Sequence, residues 1–436
     1  MLWRPQADVL KAGRILSIAG DGMVAYWKLK YAFSKLSPKA KRVARIRTIE
    51  GLDRLRQAIR EKMPNRTAGS TLLLGTWNIR NFDDNRFAHG PRLEETFYYL
   101  AEMIAAFDIV AVQEICDNLA AFDQLMSMLG PTHSFIMTDI TEGPGGNQER
   151  LGFIYDRNKI SFKGVAGEIV LPFEQQISDV TKERQFARTP FSCTFQAGWF
   201  KFNFATVHIY YGKESITSSE YKRRVKEIDS VAKFIAKRAK ADDIYNHILV
   251  GDFNIEDFEG ETFDALARHG FSVFRNKMGS NATQTKFYDQ ISFLPKKNEV
   301  ALANPDSDKA HGVFNVFSCV FRDEDFGEHD ESLKGIINGR LDLARLALAA
   351  AQAALAAASS GAKKKAAAKA IAAAEKSIAS DGKLLADKAA RQAYYAGEWR
   401  TFQMSDHLPL FVELKVDFAD SYLKQLRAEA EGQTPP

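Results

Sequence analysis

From residue 71 onward, short apolar runs of strand length alternate with amphipathic helical segments, and this rhythm constrains the fold more than any other feature of the chain. The strand-like runs cover residues 71–82, 108–115, 149–156, 160–171, 191–195, 201–211, 247–254, 288–294, 313–321 and 408–416. Gln196-Ala197-Gly198 closes two of them, 191–195 and 201–211, into a hairpin. Between the runs, apolar residues recur three or four apart at 92–107, 118–129, 218–240 and 261–269, the spacing of one helix face. Hairpins mixed with helix-separated strands predict an α/β body, a two-sheet α/β sandwich with flanking helices.

Two segments fall outside that rhythm. In residues 1–66, Val43, Ile46, Ile49, Leu52, Leu55 and Ile59 follow helical spacing until Pro64-Asn65-Arg66, which predicts a helical N-terminal extension. The stretch around Trp27, Tyr31 and Phe33 reads as a second amphipathic helix, either covering the body or lying on a membrane interface, with packing on the body favoured. This extension holds 16 Lys and Arg against 5 Asp and Glu in a chain of net charge +4, so the remainder is acidic. A basic arm on an acidic body predicts a polyanionic partner, nucleic acid first and an anionic membrane surface second.

The second exception is alanine-rich. Between residues 344 and 379, 19 of 36 residues are alanine, a composition that only a helix suits. Ser359-Ser360-Gly361 and Asp381-Gly382 predict breaks, so residues 332–396 are expected to form an inserted Ala-rich helical hairpin with a third helix. Its second limb carries Lys363, Lys364, Lys365, Lys369 and Lys376, a surface for substrate phosphate or for a protein partner. The main domain is then expected at 67–331 and 397–416, with a C-terminal tail at 417–436. Cys116, Cys193 and Cys319 stand singly in apolar surroundings and read as buried thiols. No apolar run approaches the ~20 residues of a membrane span. The best N-terminal apolar stretch, 15–19, ends at Gly20-Asp21-Gly22, too short for a secretory signal. The expected location is cytoplasmic. Glu142-Gly143-Pro144-Gly145-Gly146-Asn147 reads as a mobile loop without chemistry of its own.

Function is signalled at the ends of the apolar runs. Strands buried on both faces should not finish in carboxylates, amides and imidazoles. Here they do so repeatedly: Trp77-Asn78-Ile79-Arg80-Asn81, Val112-Gln113-Glu114, Thr206-Val207-His208, Val250-Gly251-Asp252-Phe253-Asn254 and Ser405-Asp406-His407-Leu408-Pro409. One such strand end is ordinarily a solvated edge; five in one chain are not.

In this order the five stretches resemble the endonuclease/exonuclease/phosphatase (deoxyribonuclease I-like) superfamily, with G-D-F-N at 251–254 and S-D-H-L-P at 405–409 the most specific pieces. The resemblance implies a two-sheet α/β sandwich and a metal-dependent phosphodiester hydrolase. It also implies roles. Glu114 matches the main metal ligand, with Asn78 beside it and Asp406 as a further metal-site or His-orienting carboxylate. Asp252 and Asn254 match the pair that orients the attacking water and holds the scissile phosphate. His407 pairs with Asp289, His208 pairs with Glu149, and Arg188 matches a phosphate contact. A carboxylate with amide and water oxygens suits Mg²⁺, with Mn²⁺ as the alternative.

The chemistry agrees with the resemblance. Phosphodiester hydrolysis requires neutralised charge on the phosphate oxygens, an activated water and a protonated leaving alkoxide. Two carboxylate-paired imidazoles suit the last two tasks. The expected activity is therefore a nuclease acting on DNA or RNA with little sequence specificity, since no base-reading module is evident. The alternatives are an inositol-phosphate or phospholipid phosphatase or sphingomyelinase-type phosphodiesterase at a membrane surface, and a non-catalytic scaffold that uses the helical hairpin.

Overall fold

The computed structural model describes residues 24–141, 147–172, 175, 177, 185–294 and 301–432. The apolar stretch 15–19 and all but the last residue of the glycine-rich loop lie outside the described residues. Among the described residues the strands, in chain order, are β1 (Thr71–Phe82), β2 (Ile109–Ile115), β3 (His133–Met137), β4 (Arg150–Asp156), β5 (Ser161–Glu168), β6 (Phe191–Ala197) and β7 (Phe200–His208). There follow β8 (Asn246–Asp252), β9 (Ser272–Val273), β10 (Asp289–Leu294), β11 (Ala301–Leu302), β12 (His311–Val313) and β13 (Leu410–Lys415). One sheet has the order β11-β13-β1-β2-β4-β3, with β12 also on β13; the other has the order β5-β6-β7-β8-β10-β9. The β1–β2 and β7–β8 pairs are parallel and the remaining pairs antiparallel.

Period-2 alternation decides which side chains enter the space between the sheets. Leu72 and Leu74 of β1, Ile109 and Ala111 of β2, Phe200, Phe202 and Phe204 of β7, and Ile248 and Val250 of β8 form that inner core. The residues between them face outward. Leu73, Trp77, Val110 and Val112 pack under helices α1 (Pro38–Lys62), α2 (Glu94–Ala105) and α3 (Ala120–Leu129). Ala205, Val207, Leu249 and Phe253 pack under α4 (Ser219–Lys240) and α5 (Glu261–Ala267). Residues two further along the inner rows are polar: Thr76 and Asn78 on β1, Gln113 on β2, Thr206 and His208 on β7, and Asp252 on β8.

The alanine-rich stretch forms two long helices, α6 (Phe326–Ala356) and α7 (Gly361–Ala386), followed by α8 (Lys388–Tyr394), a π-helical turn at Tyr395–Trp399 and α9 (Arg400–Gln403). Ser360 caps α7, accepting from Lys363 N–H. The break expected at Asp381-Gly382 is not there. Asp381 is paired with Arg340 of α6, and the helix continues to Asp387, whose side chain caps α8. α6 also begins earlier than expected, at Phe326.

Other differences have local causes. The apolar run 313–321 is a strand only to Val313. It then turns through a 3-10 segment at Val316–Ser318, capped by Asn315, with its apolar side chains still buried. The run shows burial but not conformation, and the side-chain cap decides between strand and turn. The Trp27 region is a single 3-10 turn, Tyr26–Lys30, rather than a helix; Leu29, Ala32 and Phe33 pack on the body. Residues Ala419–Ala430 form α10 where a tail was expected. All three cysteines are buried and free. No helix among the described residues is long and apolar enough to cross a membrane.

Candidate active site

The polar inner-row residues gather at one end of the sandwich. β7 and β8 end there at His208 and Asp252, which face each other across the parallel pair, and β10 begins there with Asp289 opposite Asp252. On the other sheet, β1 and β2 reach the same end at Asn78 and Gln113. Gln113 joins the sheets, its amide donating to Thr76 Oγ1 at 3.0 Å and Thr206 Oγ1 at 2.8 Å.

Glu114 is the exception to the alternation. As the neighbour of inward Gln113, it should face the helices. Instead its φ is +62°, and the β2–β4 register shifts between Val112 and Ile115. A bulge of this kind turns a side chain out of its strand row, and here it brings the carboxylate to the site. Asn78 Nδ2 donates to Glu114 Oε1 at 2.9 Å and to Asp252 Oδ2 at 3.0 Å, and Asn81 N–H donates to Glu114 Oε2 at 2.6 Å. Asn81 and Asn254 also have positive φ, +40° and +53°. Clustered backbone strain of this sort is held only where the surroundings impose it.

Two imidazoles flank this centre. His208 Nδ1 lies 3.1 Å from Glu149 Oε2, and its Nε2 lies 3.5 Å from Asp252 Oδ2 and 3.8 Å from Glu114 Oε1. His407 Nδ1 bonds Asp289 Oδ2 at 2.7 Å, and its Nε2 lies 3.7 Å from the same Asp252 Oδ2. Glu114, Glu149 and His208 form one group of potential ligand atoms within 4.8 Å of one another; Asp252, Asp289 and His407 form a second. All of these side chains are buried or nearly so.

Burial and charge act against each other in both dyads. Burial alone would raise Glu149, but His208 and Arg188 outweigh it and hold the carboxyl at about 2. Burial alone would lower His407, but Asp289 and Asp252 raise it well above its ordinary value. Burial raises Asp289 despite His407, and both shifts describe a dyad that keeps its proton. Burial also raises Glu114, and Glu149 adds to the effect.

The oxygen donors fit a hard divalent cation. Asn78 Oδ1 is buried and has no hydrogen-bond donor among the described residues, beside the Glu114 carboxylate that the bulge delivers. An unpaired buried acceptor next to a carboxylate is what Mg²⁺ coordination would satisfy.

The other expected residues are placed as follows. Asn254 is buried; its N–H donates to Asp252 Oδ1 at 2.9 Å and its Nδ2 to Ile209 O at 2.8 Å. Arg188 is not on an open rim. It is buried behind Glu149, with Nε 2.6 Å from Oε2, so its charge is spent on that carboxylate. Asp406 belongs to neither group: its side chain is 46% exposed, and Oδ2 stands 3.7 Å from Arg80 Nε. Sequence reasoning missed several supports. Ser405 Oγ donates to Asn78 O at 2.6 Å and accepts from His407 N–H at 3.0 Å, tying β1 to the 405–409 loop. Trp77 Nε1 donates to His407 O at 2.9 Å, and Ser280 Oγ accepts from Asp289 N–H at 2.9 Å. Ser405 and Trp77 lie inside the quoted motifs, which was the available signal; Ser280 carries none.

The Endonuclease/Exonuclease/phosphatase family profile matches residues 75–296, the stretch that holds Asn78, Glu114, Glu149, His208, Asp252 and Asp289. The chain belongs to this family. The chain is also similar to several solved structures. A mannosyl-6-phosphatase of Bacteroides thetaiotaomicron is 18% identical, with a TM-score of 0.42 over 56% of this chain and 90% of that one. The human Nocturnin catalytic domain is 14% identical, with a TM-score of 0.41 over 53% and 84%. D. rerio TDP2 complexed with a single-strand DNA product is 17% identical, with a TM-score of 0.39 over 57% and 91%. No curated protein matches the chain. His407 lies outside the matched stretch and contacts Asp252 and Asp289 within it.

Proposed function

We propose that the protein is a metal-dependent phosphodiesterase whose substrate is a nucleic-acid backbone. The observation that carries this reading is the convergence of two imidazoles, His208 Nε2 at 3.5 Å and His407 Nε2 at 3.7 Å, on one Asp252 oxygen, each backed by its own carboxylate. A diester needs a proton removed from water and a proton delivered to the leaving alkoxide, and two histidines, each on its own carboxylate, supply both.

Asp252 and the His407–Asp289 dyad take the water side. The dyad first releases the proton it holds in the free site; the water oxygen then forms a bond to phosphorus as neutral His407 accepts the water's proton, a transfer that the surrounding carboxylates favour. The P–O bond to the leaving group breaks, its electron pair passing to the leaving oxygen, which takes a proton from His208. Glu149, held ionised by Arg188, stabilises protonated His208 before that transfer. Asn254 fixes the Asp252 carboxylate through its backbone N–H. Glu114 and Asn78 Oδ1 would hold Mg²⁺ or Mn²⁺, with Asp406 at the rim; the bound cation neutralises charge on the phosphate oxygens.

A polymeric substrate is supported by the α6–α7 pair, which we read as an arm inserted between β12 and β13. Lys363, Lys364, Lys365, Lys369 and Lys376 of α7 are all exposed, and such contacts give sequence-independent affinity. The test is a substrate panel with Mg²⁺: supercoiled plasmid, single-stranded DNA, RNA, bis-p-nitrophenyl phosphate and p-nitrophenyl phosphate. Cleavage of a nucleic acid, with the diester favoured over the monoester, is expected. Preference for the monoester would replace this reading with a phosphatase.

A further inference from the structure

The family match begins at residue 75 and leaves α1 and the turn before it without a role. These elements have an unusual outer surface. The buried side of α1 is Ala44, Thr48, Gly51, Leu52, Leu55 and Ala58. On a 3.6-residue helix, Val43, Ile46 and Ile49 lie on the opposite side, and all three are exposed. The outward residues of the second half of the same helix, Glu50, Asp53, Gln57, Arg60 and Glu61, are an ordinary solvated face. The apolar character is therefore confined to the first half. It continues into the preceding chain, where Leu36 is exposed and Trp27 and Tyr31, 67% and 64% exposed, meet edge to face at 6.4 Å. Arg45 Nη2 donates to Lys30 O at 2.8 Å and ties the helix to that turn.

The charge pattern of the same region is one-signed. Residues 24–49 contain eight Lys and Arg and no Asp or Glu. Lys30, Lys35, Lys39 and Arg42 are exposed, and the ammonium groups of Lys28 and Lys30 lie over the Trp27 and Tyr31 rings at 5.7 and 5.8 Å. We propose that this face, Trp27 to Ile49, docks the protein on an anionic lipid surface as a peripheral, non-spanning contact. Basic side chains meet the headgroups, indole and phenol rings sit at the polar–apolar boundary, and aliphatic side chains enter the acyl edge. Nucleic acid would account for the cations and the rings. It would leave Leu36, Val43, Ile46 and Ile49 in water, so lipid explains more of the surface.

The experiment is co-sedimentation of the full chain with vesicles of phosphatidylcholine alone and of phosphatidylcholine with phosphatidylserine, at low and high salt, beside a gel shift with single-stranded DNA. The variants are Trp27→Ala/Tyr31→Ala, Val43→Ser/Ile46→Ser and Lys35→Gln/Lys39→Gln, none of which touches the catalytic site; thermal melting and p-nitrophenyl diester hydrolysis check folding. Wild type is expected to pellet with the anionic vesicles only. Each lysine lost should weaken binding by roughly five-fold, and the aromatic and aliphatic pairs should each lower it without altering the DNA shift. Absence of wild-type pelleting with phosphatidylserine, equal pelleting by the folded variants, or loss of DNA binding in place of lipid binding would overturn the proposal.

Discussion

The two histidine dyads are alike in chemistry and unlike in surroundings. Glu149 is gripped from both sides, by His208 and by the buried guanidinium of Arg188, and is held at about 2. Asp289 has no guanidinium; it has His407, Ser280 Oγ and the repulsion of Asp252, and both members of that dyad are raised. His208 and Arg188 hold the first carboxylate as an anion, whereas burial raises Asp289 and the neighbouring carboxylates raise His407, so the second dyad holds its proton. The two carboxylates that back the imidazoles are therefore shifted in opposite directions by their surroundings.

The largest effect is expected where the dyads meet. Asp252→Ala removes the oxygen both imidazoles face, and diester hydrolysis should fall by about three orders of magnitude or more. A smaller fall would mean that the dyads work separately. Gly251→Ala strikes the same point through the backbone. Its φ is +128°, and an added Cβ would stand 2.2 Å from Val207 O, so β7 and β8 must separate. Chemical denaturation should show a loss of about 3 kcal/mol or more, and a native-like midpoint would contradict the close approach.

Arg188→Gln tests what makes the dyads different. With its cation gone, the Glu149 carboxyl should titrate higher, moving the acid limb of the pH–rate profile upward and lowering kcat by about ten-fold with KM little changed. A dominant rise in KM would instead assign Arg188 to substrate phosphate. The smallest effect lies outside the site. His329, against Phe321, Tyr395 and Trp399, is held down at about 3 by burial and by Arg47, with Asp325 opposing. A depressed histidine contributes stability that is complete above its unfolded value of 6.5 and is lost as pH falls through the range down to about 3. His329→Phe should flatten the acid slope of stability by up to about 1.4 kcal/mol per pH unit, measured by denaturation at several pH values; an unchanged slope would contradict it.

Much of this was legible in the sequence. His208 and Asp252 could be named as polar ends of apolar runs before any coordinates, but not given a face, since every residue of 246–252 is buried. Glu114 could be named but not oriented, because its direction depends on a bulge and a positive φ that its residue type does not announce. Arg188 was readable as a cation near the site, but not as the partner of Glu149, since the pairing spans 39 residues and joins the residue before β4 to the loop before β6. Residues 313–321 show the same limit in the fold: apolar content reported burial, and one Asn315 side chain made the segment a turn.

If the two dyads do opposite jobs on one phosphodiester, leaving-group dependence reads that division directly. His208→Ala and His407→Ala are compared on a dialkyl-type diester, such as a plasmid strand, and on bis-p-nitrophenyl phosphate, whose p-nitrophenolate leaves without a proton. Both variants should lose roughly 10²- to 10⁴-fold on the strand. His208→Ala should recover most of its rate on the p-nitrophenyl ester, while His407→Ala should not. Equal losses on both substrates, or recovery by His407→Ala instead, would contradict the assignment.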